Sequence, residues 1–148
     1  MLLGETHPTS RGTLAITGPE LRDAPRIDPR YLHTEHDRSL FRLALERARA
    51  VGESAAMRAW NGGELLPGAD VSSPAALDAF IARAAITHHH PVATCAMGAA
   101  DTSVVAPDLR ARDFDNLAIV DASVIPAIPC GPIHAAVMAI AEKYAAQL

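Results

Sequence analysis

Apolar residues recur at helical spacing in the first half of the chain, and this pattern predicts three helices there. The first begins at Asp37, which suits an N-cap, and stops at Gly52. A short second helix is predicted over Ser54 to Trp60. The third opens at Ser73-Pro74, because proline suits the first helical turn. The apolar faces of the first and third helices consist of Leu40, Phe41, Ala44, Leu45 and Ala48, and of Leu77, Phe80, Ile81 and Ala84.

Two segments near the start of the chain are predicted to be extended. Ser10 to Pro19 alternates apolar and polar residues between glycines, with Leu14 and Ile16 on one face, as a half-buried strand does. Ala24 to Leu32 contains two prolines, and residues before proline avoid the helical region.

The pattern changes after Thr87, where helical periodicity ends. The apolar run Asn116 to Asp121 ends in an acid and a turn, which is typical of a buried strand whose last residue projects into a crevice. Four residues make the next loop irregular: Pro126, Pro129, Gly131 and Pro132. The segment from His134 to Leu148 is amphipathic and predicts a helix.

Composition narrows the range of functions. The 148 residues include 13 basic and 17 acidic side chains, so the net charge is −4, as for one ordinary soluble domain. Net negative charge and 4% aromatic residues argue against a nucleic-acid partner. No apolar run approaches the length of a bilayer span. Two cysteines form no disulfide framework, and the start lacks the features of a signal peptide, so a reduced, cytoplasmic chain is expected.

Three consecutive histidines, His88 to His90, raise the question of a metal site. Neighbouring residues on an extended chain point to opposite faces, so the three rings should not converge on one ion. Cys95 lies five residues after His90, and no second pair has zinc spacing. The sequence therefore predicts no metal ligands.

His134 opens the last predicted helix, and its position leaves two interpretations open. It is either a capping or exposed histidine, or a functional base. A helix N-terminus carries a partial positive charge, which suits an anionic ligand and would keep this imidazole neutral and able to accept a proton. Cys95 and Cys130 are interpreted as small apolar residues. The chain has neither a glycine-rich phosphate loop nor a G-x-S-x-G elbow.

Several separated motifs resemble the C-terminal signature of the glucose–methanol–choline (GMC) flavoprotein oxidoreductases. The family pattern H-P-x-G-T-C-R-M-G is similar to the stretch from His90 to Gly98. The pattern N-L-R-V-V-D-A-S-V-M-P is similar to Asn116 through Pro126, and I-A-E-K matches Ile140 to Lys143. Their order and spacing agree, and the resemblance covers nearly the whole chain.

The resemblance implies FAD-dependent oxidation of an alcohol, with hydride transfer to flavin N5 and a histidine taking the hydroxyl proton. The catalytic positions fall on His90 and His134, with His90 favoured as the base. Asp121, Ala122, His134 and Ala135 are expected to approach the FAD. The helix beginning at His134 would stabilise the reduced flavin through its dipole.

The implied fold class is α/β, here an α+β fragment that forms the C-terminal part of the GMC fold. Residues 1–87 are assigned to the substrate-binding domain and residues 88–148 to the FAD-binding domain. The family's N-terminal dinucleotide fingerprint is absent, so an N-terminal FAD-binding half is the expected partner. The family glycine before Thr94 is Ala93, and two family arginines are Ala96 and Ala118.

Two alternatives remain open at this level. The first is a catalytically inactive, truncated GMC-like remnant or interaction module. The second is a metal-dependent enzyme that uses the histidine run. Which alcohol serves as substrate is not encoded in any recognisable motif.

Overall fold

Two units make up the chain in the computed structural model, which describes residues 1–148: Met1–Ile86 and Thr87–Leu148. The division falls one residue before the boundary drawn from the sequence at 87/88. The assignment of these units to a substrate-binding and an FAD-binding domain stays a prediction. No helix of the chain combines the length and the apolar character that crossing a membrane requires.

The first unit begins with a two-stranded antiparallel hairpin, β1 (Thr13–Ala15) and β2 (Arg26–Asp28), with Leu14 opposite Ile27. Gly12 is needed here, because a Cβ atom would lie 2.2 Å from the carbonyl oxygen of Asp28. The predicted half-buried face is wrong: Leu14 and Ile16 are 50% and 85% exposed. Nothing in this chain packs on that face of the hairpin.

Helix α1 spans Glu35–Gly52 and is capped by Thr34, whose hydroxyl accepts the N–H of Asp37. The predicted start at Asp37 is therefore wrong by one turn. Asp37 is instead 1% exposed and receives hydrogen bonds from the N-terminal segment. An aspartate near a helix start can either cap the helix or accept hydrogen bonds from another segment. Here the donors are Thr9 and Ser10, which lie far away in sequence.

Helix α2 spans Pro74–Ala84, with Ser73 as its N-cap, as the Ser-Pro pair predicted. An ion pair joins Arg42 of α1 to Asp78 of α2 at 2.6 Å. The predicted helix over Ser54 to Trp60 is wrong, since the segment forms consecutive turns. Seven residues are too few for a stable helix without tertiary support, and Asn61 closes the turns by donating to the carbonyl of Gly52.

The second unit contains a 3₁₀ helix (Ala122–Val124), helix α3 (His134–Ala145) and a small core. Val105, Leu109 and Val124 form the centre of that core, and Met97, Ile119, Val120, Ile140 and Tyr144 pack around it. The predicted buried strand over Asn116 to Asp121 is wrong as a regular element. Only Ala118 forms a bridge, to Arg110, and Leu117 is 43% exposed.

Candidate active site

The histidine run brings two of its three rings together. The Nδ1 atoms of His88 and His90 lie 3.3 Å apart, and the rings pack edge to face with centroids 4.9 Å apart. His89 separates them with a left-handed backbone (φ 61°), and its N–H donates to the hydroxyl of Thr87. Residues two apart share a face, so the run supplies a pair of imidazoles and not a triad.

The contact between the two Nδ1 atoms constrains where the protons lie. One of the two must donate and the other accept, so a single proton occupies the contact. When His90 is the donor, its Nε2 carries a lone pair and can accept a proton from a ligand. His90 is half-buried and His88 is exposed. His88 is a functional candidate that the sequence interpretation missed, and its spacing of two from His90 was the only available signal.

The loop after His90 is attached to the segment that contains Asp121. The N–H of Cys95 donates to the carbonyl of Ser123 at 3.0 Å, and the N–H of Met97 donates to that of Val124 at 2.9 Å. These two bonds hold the motif beginning at His90 beside the 3₁₀ helix. The first two sequence motifs of the resemblance are therefore adjacent in space.

Ala93 in this loop has φ 71°, in the left-handed region that favours glycine. The resemblance noted above has glycine at this position, and the backbone angle gives the physical reason. Alanine tolerates the conformation at a cost of about 1 kcal/mol, whereas a β-branched side chain does not.

We expect Ala93→Val to lower the free energy of unfolding by about 2 kcal/mol, because the branched Cβ clashes with the left-handed backbone. Ala93→Gly should change it by about 1 kcal/mol or less, since relief of strain offsets the added freedom of the unfolded chain. Urea denaturation of the chain measures both. Ala96→Val, at a half-buried site without positive φ, controls for added volume; equal losses for the two valine variants would contradict the backbone explanation.

Asp121 caps the 3₁₀ helix rather than projecting freely. Its Oδ1 accepts the N–H of Ser123 at 2.8 Å and also the hydroxyl of Ser123. The Asp121 side chain is exposed, and its Oδ2 has no hydrogen-bond partner. Ala122 is half-buried beside it. One carboxylate oxygen thus fixes the turn and the other stays available to a ligand.

Helix α3 begins without a side-chain cap. Ile133 holds the N-cap position and is buried, and the first helical bond runs from the N–H of Val137 to the carbonyl of Ile133. The N–H groups of His134, Ala135 and Ala136 have no partner in the chain. His134 and Ala135 are exposed, so these donors are accessible. His134 forms no hydrogen bond or ring contact with His88 or His90.

The residues present fit one end of FAD. Unpaired N–H donors at the positive end of α3 suit the electron-rich edge of a flavin ring, and Asp121 offers a free acceptor. The chain has no glycine-rich loop to hold the pyrophosphate. This chain could therefore contact the flavin, while the rest of the cofactor needs other residues.

No metal-ligand cluster includes the histidine run. The only three-residue group with suitable spacing is Glu5, His36 and Asp37 in the first unit. Burial and the neighbouring Asp37 carboxylate raise the pKa of Glu5. Two surface cavities, of about 300 and 630 Å³, also lie in the first unit, and none of the predicted site residues lines either of them.

A family model described as GMC oxidoreductase matches residues 8–141, and the chain belongs to this family. Pyridoxine 4-oxidase of Microbacterium luteolum is 53% identical over 144 residues. The mitochondrial choline dehydrogenase of Homo sapiens is 37% identical over 145 residues. Each alignment covers 97% of this chain but only 28% and 24% of the relative, so the chain spans about a quarter of the length of these proteins.

Solved structures show the same fold. The crystal structure of pyridoxine 4-oxidase from Mesorbium loti matches with a TM-score of 0.91 at 54% identity, covering 96% of this chain and 28% of the other. An FAD-dependent oxidoreductase from Chaetomium thermophilum matches with a TM-score of 0.87 at 27% identity, covering 95% and 25%. The chain therefore has the C-terminal GMC fold of larger enzymes, as the motifs predicted.

Proposed function

We propose that this chain is the C-terminal part of a cytoplasmic, FAD-dependent enzyme that oxidises a small alcohol. The observation that carries the proposal is the imidazole pair His88–His90. It opens the loop that is hydrogen-bonded, through residues 95 and 97, to the 3₁₀ helix capped by Asp121. Family membership supports an oxidoreductase active on an alcohol. The length of the relatives supports a requirement for an N-terminal FAD-binding half.

His90 acts on the hydroxyl group of the alcohol. Removing hydride from the carbon leaves positive character there unless the hydroxyl proton departs, so a base within hydrogen-bond distance lowers the barrier. His88 accepts the Nδ1 proton of His90, which leaves the Nε2 lone pair of His90 for the substrate. His134 is assigned as a second hydrogen-bond partner of the hydroxyl.

The start of helix α3 and the Asp121 turn are the parts of this chain that would hold the cofactor. FAD, when bound, supplies the hydride acceptor. The N–H of Ala135 would donate to the flavin edge, and the partial positive charge of the helix would favour negative charge there. Asp121 and Ala122 would also help to hold the cofactor. Buried Ile133 fixes the helix start, so these donors are oriented before the cofactor arrives.

The names of the relatives suggest which alcohols to try. A pyridoxine 4-oxidase is 53% identical to this chain, and a choline dehydrogenase is 37% identical. Both compounds carry a primary alcohol. We propose pyridoxine as the first substrate to test and choline as the second.

Assembly with an FAD-binding partner tests the proposal. The chain is co-expressed with the remainder of the Microbacterium luteolum pyridoxine 4-oxidase, and the purified complex is examined for flavin absorbance at about 450 nm. We expect a yellow complex whose absorbance falls when pyridoxine is added without oxygen. A colourless complex, or a yellow one unaffected by pyridoxine, choline and other alcohols, would contradict the proposal and favour the inactive remnant.

A further inference from the structure

The carbonyl of Gly98, at the end of the loop that begins at His90, is held by side chains from outside that loop. The guanidinium of Arg112 donates to it through Nη2 at 2.7 Å and donates through Nε to the hydroxyl of Ser103 at 3.2 Å. The Ser103 hydroxyl lies 2.8 Å from the carbonyl oxygen of Gly98 and 2.6 Å from that of Ala100. Its single proton serves one of them at a time, so Arg112 is the constant donor to Gly98.

The Arg112 side chain has little other use. It is only 25% exposed, and its one ion pair joins Nη1 to Asp101 at 3.9 Å. Because Asp101 is fully exposed, that ion pair adds little. Hydrogen bonds from a guanidinium are stronger than those between neutral groups. The bonds to Gly98 and Ser103 are therefore the main interactions of this side chain.

The backbone at Arg112 is fixed to the core of the second unit. Its N–H donates to the carbonyl of Val104 at 3.1 Å, and the neighbouring Ala111 forms a bridge with Val105. Val105 is 0% exposed at the centre of the core, and its carbonyl accepts the N–H of Gly98 at 3.1 Å. A planar guanidinium that projects from a fixed backbone holds its acceptor in one place.

The loop connects this anchor to the candidate site. Just before Gly98, the N–H groups of Cys95 and Met97 donate to carbonyls of the 3₁₀ helix Ala122–Val124. That helix is capped by Asp121. A displacement of the loop at Gly98 would therefore move both donors, and with them the alignment of the loop against the Asp121 turn.

We propose that Arg112 is a positioning residue for the oxidation of the alcohol. It fixes the end of the loop that begins at His90 and, through that loop, the Asp121 turn assigned to the cofactor. This inference rests on the proposed function, and it requires no contact between Arg112 and the substrate. Catalysis is sensitive to such support, because a displacement of about 1 Å can lower a rate about 100-fold.

Substitutions at Arg112 separate its donors from its bulk. Arg112→Met keeps a long unbranched side chain and removes every donor, whereas Arg112→Lys keeps the charge and can still donate to Gly98. Arg110→Met is the matched control, because the Arg110 side chain is 67% exposed and pairs only with Asp108, at 3.8 Å. Ile140→Val thins the core of the same unit at a position that makes no bond to the loop, and so lowers stability alone. Melting of each chain, followed by circular dichroism, establishes that the variants fold.

Hydrogen exchange in the chain itself is the first measurement. In Arg112→Met, the amides of Cys95 and Met97 should exchange about 10-fold faster than in the unmodified chain, since the loop end is no longer held. The amides of Ile119 and Val137 bond elsewhere in the same unit and should change about twofold or less. Arg110→Met should leave all four rates unchanged.

The rate of flavin reduction is the second measurement, in the assembly with the remainder of the Microbacterium luteolum pyridoxine 4-oxidase. At saturating alcohol, we expect Arg112→Met to be about 10- to 100-fold slower and Arg112→Lys to remain within about threefold of the unmodified assembly. Arg110→Met and Ile140→Val should leave the rate unchanged. The alcohol concentration for half-maximal rate should change about threefold or less in Arg112→Met, because Arg112 acts on the reacting geometry and not on substrate binding.

Unchanged exchange at Cys95 and Met97 in Arg112→Met would overturn the proposal, as would an unchanged rate in a yellow assembly that the alcohol reduces. Equal rate losses in Arg112→Met and Ile140→Val, or no recovery in Arg112→Lys, would assign the effect to stability and overturn it too. The outcome is separable from that of the proposed function. A colourless complex contradicts the function and any role in the oxidation, whereas faster exchange at Cys95 and Met97 would still show that Arg112 anchors the loop.

Discussion

In the flavin-loaded assembly, His90→Ala is expected to lower the rate of flavin reduction by the alcohol about 10²–10⁴-fold, the usual contribution of a positioned base. The imidazole is half-buried, and its orientation is constrained by His88 at 3.3 Å. Alanine leaves the hydroxyl proton without an acceptor at this position. The measurement is the rate at which absorbance at about 450 nm falls after anaerobic mixing with pyridoxine, which reports a single turnover.

His89→Asn is the matched control for this variant. The side chain of His89 has no partner, and asparagine tolerates the left-handed backbone at φ 61°. Its rate should equal that of the unmodified assembly. His134→Ala tests the second predicted catalytic histidine. Its ring is exposed and has no contacts in this chain, so its removal should change the rate only through the lost contact with the substrate. A loss for His134→Ala with full activity in His90→Ala would reverse the proposed roles.

Local signals in the sequence predicted several elements correctly. Ser73-Pro74 predicted the start of α2, because capping and the fixed φ of proline act within one turn. The start of α3 at His134 follows in the same way from the irregular loop before it. The family was also predicted correctly, since the order and spacing of several motifs carry far more information than any single pattern.

Features that depend on distant partners could not be predicted. The buried role of Asp37 depends on Thr9 and Ser10, almost 30 residues earlier. The strand over Asn116 to Asp121 was expected from its apolar run, yet within this chain only Ala118 forms a bridge, to Arg110. For Leu14, Ile16 and this segment, the pattern of apolar positions predicted burial or pairing, but such a pattern does not encode which residues would supply the covering surface.

In the candidate site, too, the sequence did not predict the features that depend on residues distant along the chain. Alternation along an extended chain correctly separated His89 from its neighbours but did not identify His88 as the partner of His90. The positive φ at His89 and Ala93 shapes this loop, and glycine, the usual signal of such angles, is absent from both positions. The bonds from this loop to Ser123 and Val124 join residues far apart in sequence, and no local pattern encodes them.

Asp37→Ala is expected to lower the free energy of unfolding by about 3 kcal/mol at pH 7. The carboxylate is 1% exposed and accepts three hydrogen bonds, from the N–H and the hydroxyl of Thr9 and from the N–H of Ser10, at 2.6 to 2.9 Å. Hydrogen bonds to a charged acceptor contribute about 1.5–3 kcal/mol each. In the variant, donors of the partly exposed N-terminal segment bond to water instead, which recovers part of that energy. Urea denaturation of the chain measures the loss.

The effect should depend on pH in a defined direction. Burial alone would raise the pKa of Asp37, but the hydrogen bonds from Ser10 and Thr9 outweigh it and hold the pKa well below the ordinary value of 3.8. Its stabilisation is therefore complete above pH 3.8 and is lost as the pH falls toward the folded-state pKa. The unmodified chain should therefore lose stability as the pH falls below 4, and Asp37→Ala should lose less over the same range.

Two variants make this prediction specific. Asp37→Asn keeps the volume and one acceptor, so it should lose less stability than Asp37→Ala and should show no acid-dependent loss from this position. Asp70→Ala removes an exposed carboxylate without hydrogen-bond partners and should have no effect. Equal stability of Asp37→Ala and the unmodified chain at pH 7 would show that the N-terminal segment does not depend on this carboxylate. Parallel acid unfolding of the two chains would assign the acid-dependent loss to other groups. Glu5 is not one of them, because its raised pKa makes its own contribution favourable at low pH and unfavourable as the pH rises.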